Sequence, residues 1–88
     1  MMGGVADRAE ELAAERALLL KSEDDIERGR LRLRHQENLL LELRADGHDT
    51  RQAERLVELL KETLVEWERH HVMIEERIAY LESVSTGL

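Results

Sequence analysis

The chain has no cysteine, no proline and no phenylalanine, and its aromatic residues are limited to Trp67 and Tyr80. Without cysteine there is no disulfide, no thiol nucleophile and no thiolate metal site. Without proline, nothing forces a break in a helix. Residues that favour strands never gather into an alternating pattern. The longest apolar runs, "ALLL" and "LLL", fall far short of the roughly 20 residues a spanning helix needs. The opening "MMGGVADRAEE" has neither the basic start nor the apolar stretch of a secretory signal. A cytoplasmic location is therefore expected.

Leucine, glutamate, arginine and alanine dominate an 88-residue sequence with a net charge of −7. That mixture, with helical periodicity, reads as long helices. The length permits a single domain with a thin core. The negative balance repels phosphate backbones and anionic headgroups, so neither nucleic acid nor a membrane is expected as a partner.

One stretch interrupts the helical pattern. In "LRADGHDTRQ", residues 43–52, Gly47 suits the left-handed conformation that ends a helix. Asp49 then supplies a capping carboxylate, with Gln52 three residues on as its capping-box partner and Thr50 as an alternative cap. The expected organisation is helix 1 over about 6–45, a turn at 46–49 and helix 2 over about 50–83. Residues 1–4 and 84–88 are expected to be flexible. So short a connection folds the helices back antiparallel, giving an all-α, coiled-coil-like two-helix hairpin. At ~1.5 Å per residue the helices would be about 60 and 50 Å long.

Helix 2 carries a three-four seam: Ala53, Val57, Leu60, Leu64, Trp67, His71, Ile74, Ile78 and Leu81. Helix 1 answers with Leu12, Leu19, Ser22, Ile26, Gly29, Leu33, Gln36, Leu40 and Leu43, Glu15 being the misfit. Folding about Gly47 sets Leu43 against Ala53, Leu40 against Val57, Leu33 against Leu64, and Gly29 against Trp67. A helix-interior glycine, which costs ~1 kcal/mol relative to alanine, thereby gains a reason: it makes room for the indole. The same register sets Arg28 against Glu68, Arg30 against Glu66, Arg34 against Glu62, Glu27 against Arg69 and Lys21 against Glu75.

The seam leaves many apolar residues unused. "ALLL" (17–20) and "NLLLEL" (38–43) spread around helix 1, and Leu56, Leu59, Val65, Val72 and Met73 lie off the seam of helix 2. A two-helix hairpin has no second layer to cover them, and large exposed apolar patches mark interfaces. The expectation is a homodimer of hairpins forming a four-helix bundle. An adaptor docking on a larger protein partner is the alternative that needs the same apolar surface.

Chemistry-bearing clusters are few. Glu68 and His71 form a Glu-x-x-His spacing that di-iron bundles use twice, with further glutamates. A homodimer would supply two, and Glu23 or Glu27 would add carboxylates, so these four are the metal candidates. The competing reading keeps His71 as a partly buried residue bonded to Asp25 or Glu75. The arginines of "RGRLRLRH" split onto different helix faces and have no aromatic neighbour to stack on bases. "DGHDT" has local structural work and no pocket to exclude water. No nucleophile, base and oxyanion donor assemble, so no catalytic residue, no cofactor and no enzyme activity is expected.

The segment from Gln36 to Ile78 resembles small uncharacterised bacterial helical-hairpin proteins. The likeness rests on Gln36, the Asp46–Thr50 turn, Ala53, the Leu59–Leu60 pair and His70. It implies the hairpin fold and brings no activity or ligand.

Overall fold

The computed structural model describes residues 5–86, and side chains from 7 to 84. They form two helices, α1 (Val5–Ala45) and α2 (Arg51–Thr86), joined by one tight turn into a helical hairpin. The described residues contain no strand. The hairpin is a slender body of 68 × 18 × 14 Å.

The turn follows from its backbone hydrogen bonds. The His48 N–H donates to the Leu43 carbonyl at 2.9 Å and the Gly47 N–H to the Arg44 carbonyl at 3.1 Å. This nested pair satisfies the last carbonyls of α1 and requires a left-handed residue between them. Gly47 fills that position with φ +75°. α2 starts at the second of the two expected caps. Thr50 is the cap residue, since its carbonyl accepts the Glu54 N–H at 2.9 Å. Its hydroxyl donates to Glu54 Oε2 at 3.0 Å, so the carboxylate partner is Glu54 rather than Gln52. Asp49 still contributes, because its Oδ1 accepts the Arg51 N–H at 3.1 Å. The Arg51 side chain, and then its backbone N–H, hold the Asp49 carboxyl below its ordinary value. Arg51 is raised in turn by the same contact.

The far end also departs from the expected bounds. α2 runs through Thr86 instead of ending near residue 83. The Arg8 guanidinium donates to the Val84 carbonyl at 3.3 Å, which ties this last part of α2 to α1. The expectation of flexibility at 84–88 falls in part on residues that are helical, 84–86. For 1–4, 87 and 88 it lies outside the described residues.

Between turn and far end, the seam residues other than Trp67 are buried or half-buried. Ile26, Leu40, Val57, Leu64, Ile74, Ile78 and Leu81 form the buried core. Gly29 is buried too. A Cβ placed on it would lie 2.9 Å from Leu64 Cδ2 and 3.1 Å from Trp67 Cζ3. The glycine thus admits both side chains at a distance no larger residue allows. Glu15, the misfit of the seam, meets Arg77 at 3.4 Å. The core is thin: no side chain in it is completely buried.

Candidate interaction surface

The two broad faces of the hairpin differ chemically, and the difference is built by residues seven apart, which return to the same side of a helix. On one face, α1 presents Arg16, Glu23, Arg30, Glu37 and Arg44, while α2 presents Glu54, Lys61, Glu68, Glu75 and Glu82. Three rungs of this ladder close as ion pairs: Arg44–Glu54 at 3.2 Å, Arg30–Glu68 at 2.6 Å and Arg16–Glu82 at 2.8 Å. Arg30 therefore meets Glu68, not Glu66. Of the other expected cross-helix pairs, Arg34 with Glu62 is not among the ion pairs formed, and the remaining three give way to bonds within a helix. Lys21 holds Asp25 at 2.8 Å, Arg28 holds Asp24 at 3.1 Å and Arg69 holds Glu66 at 2.9 Å.

One rung breaks the alternation by placing Glu23 opposite Glu75. His71 lies at that rung: its Nε2 is 3.3 Å from Glu23 Oε2 and its Nδ1 3.4 Å from Glu75 Oε1. The Glu75 contact matches expectation, and Glu23 takes the place foreseen for Asp25. The sequence held a signal for this arrangement in the sevenfold repeat of alternating charge.

The metal candidates are placed as follows. Glu23 and His71 meet. Glu68 is engaged by Arg30, and Glu27 is exposed. The two nitrogens of His71 point to opposite sides, so its two carboxylates do not converge on one point. Among the described residues no group of three or more acidic or histidine side chains is placed to hold a metal ion within one chain.

The opposite face carries a shallow groove of about 280 Å³, lined by Leu18, Lys21, Ser22 and Asp25 from α1 and by Trp67, His70 and Ile74 from α2. Seven-residue spacing extends the same face through Arg32 and Leu39 on α1 and through Leu56 and Thr63 on α2. A parallel stripe of Leu59, Glu66, Met73 and Tyr80 borders it. Trp67 is 38% exposed, one edge of its ring at Gly29 and the rest open to the groove. Met73 is 59% exposed and Leu59 57%.

Among the described residues, twelve large apolar side chains are exposed, seven are buried and six (Leu12, Leu19, Leu33, Leu43, Leu60 and Val84) are half-buried, so about half of this apolar material faces out. The chain exposes 6926 Å². A compact monomer of 10.2 kDa would expose about 5300 Å². In α1 the apolar residues point around the whole circumference, whereas in α2 they concentrate on one side. No helix of the described residues is long and apolar enough to cross a membrane. No protein-family model matches the chain, and no curated protein or solved structure matches it at a significant level.

Proposed function

We propose that this protein is a non-enzymatic interaction or structural module, an antiparallel coiled-coil-like hairpin that self-associates into a homodimeric four-helix bundle. The observation that carries the reading is the large exposed apolar set on a body with a thin core. The excess over a compact monomer is on the order of 1,500 Å². A standard interface removes about 800 Å² per partner, so one dimer contact is of the right size to absorb much of that excess.

Sedimentation equilibrium of the isolated chain at low micromolar concentration tests this. A mass of twice 10.2 kDa supports the reading. A stable monomer that binds a hydrophobic dye contradicts it and favours the adaptor that waits for a larger partner.

A further inference from the structure

Self-association still leaves open which face meets which and how the two copies are oriented. Resting on the reading above, we infer that the occupant of the Trp67 face is a second copy of the chain, stacked face to face about a two-fold axis parallel to the long axis. Both turns then lie at the same end, and α1 of each copy covers α2 of the other.

The choice of face follows from what burial would cost. The ladder face is a run of charged side chains bordered by Leu20, Leu41, Val65 and Val72, and burying it would strip water from the three rungs that close as ion pairs and from the charges of the other two. The groove face carries Leu18, Leu39, Leu56, Leu59, Trp67 and Met73 at its centre or border. Trp67 is anchored at Gly29 and open on its outer side, the form of a side chain that a partner completes.

The orientation follows from levels along the hairpin. Gly29 lies level with Trp67, which puts Arg28 and Glu66 at neighbouring levels on the two borders of this face. Leu40, Leu41 and Val57 share one level nearer the turn, so Leu39 and Leu56 do too. By the same register Leu18 lies level with Ile78, close to the exposed Tyr80 on the border of this face. With both turns at one end, each α1 residue meets the partner residue at its own level. Leu39 then meets the apolar pair Leu56 and Leu59, Leu18 meets Tyr80, and Arg28 meets Glu66. Both of these charges are now held only by exposed pairs within their own helices, Arg28 with Asp24 and Glu66 with Arg69, so either can change partner at little cost. With the turns at opposite ends and full overlap, α1 would lie on α1, with Leu39 near Glu11 and Lys21 near Arg28. Like charges and an apolar–acidic contact disfavour that arrangement.

The absence of cysteine allows a direct test, since one added thiol is a unique labelling point. His48→Cys, spin-labelled at the turn, should give an intermolecular distance within about 30 Å, a few helix spacings plus the labels. A distance of about 60 Å, one helix length, overturns the orientation. In parallel, Leu59→Glu should abolish the dimer while Val72→Glu, on the other side of α2, leaves it intact, with helicity retained in both by circular dichroism. Arg28→Glu should weaken the dimer about three- to tenfold, and Arg28→Glu/Glu66→Arg should restore it. A dimer that survives Leu59→Glu, or a double variant no better than the single, refutes the proposed face. A wild-type chain that is monomeric refutes the self-association reading itself, so the two failures are distinguishable.

Discussion

Replacing Gly29 by leucine puts four carbons where the structure has room for none. The first would lie 2.9 Å from Leu64 Cδ2 and 3.1 Å from Trp67 Cζ3. Ordinary carbon contacts are about 3.5–4.0 Å apart, so even the Cβ intrudes by roughly half an ångström. Two effects oppose each other. Leucine is a better helix former than glycine by up to ~1 kcal/mol, and overpacking costs about 1–3 kcal/mol or more. For Gly29→Ala they nearly cancel, because the nearest obstacles are the tip of a leucine and a ring with an open outer side that can swing away. For Gly29→Leu the added branch has to push the helices apart, and a net loss of about 2 kcal/mol is expected. Near the transition of a 60–100-residue domain, 1 kcal/mol moves the midpoint about 4–8 °C, so the variant should melt roughly 8–16 °C lower at fixed protein concentration. Thermal circular dichroism measures the shift, and emission from the single tryptophan reports on the same contact. A melting temperature equal to or above that of the unmodified chain refutes the contact between glycine and indole as the reason for the glycine.

The remaining predictions concern the turn and the ladder. Gly47→Ala meets no obstructing atom but keeps φ at +75°, so it should cost about 1–2 kcal/mol by backbone conformation alone, read as a lower melting temperature. Asp49 has a lowered folded-state pKa, so its contribution is complete above the ordinary carboxylate value and is lost as pH falls through the folded one. Asp49→Asn should therefore melt lower than the unmodified chain at neutral pH, and the gap should close well below about pH 4. A gap unchanged in acid would contradict the charged cap. Glu23→Arg gives the one like-charged rung an opposite pair with Glu75 at the loss of the Glu23–His71 contact, so it should stabilise the hairpin by no more than about 1 kcal/mol in low salt. The gain should vanish near 1 M salt, where screening extends to about 3 Å.

The turn and the seam were legible because each rests on a short-range rule. Gly47 fits the one backbone conformation that a helix end demands, and the three-four spacing of Val57, Leu64, Ile74 and Ile78 leaves little choice of inward face. Gly29 against Trp67 followed from the turn position, since a one-turn error would have put a leucine there. The ion pairs were less legible, and the reason is geometric. Helical side chains lean toward their own N-terminus, so each covers a spot about one residue away from its own Cα. In a hairpin the two leans point opposite ways and add. Arg30 accordingly reaches Glu68, two residues beyond the Glu66 that backbone levels alone select. Arg28 and Lys21 were misassigned because acidic residues four away in the same helix compete for them, and surface pairs differ too little in energy for sequence to decide. The sequence leaves the cap open between Asp49 and Thr50 because both offer oxygen to the first turn of α2, and the bonds divide between them.

The most direct test of the central claim, that one hairpin does not complete its own core, is the melting temperature as a function of protein concentration. If folding and dimerisation are coupled, a hundredfold rise in concentration adds about 2.7 kcal/mol of mass-action stabilisation. For a two-chain unit of this size, 1 kcal/mol moves the midpoint about 2–4 °C, so the account predicts a rise of about 5–10 °C. A midpoint that stays constant across that range would show that each hairpin is stable alone and would contradict it.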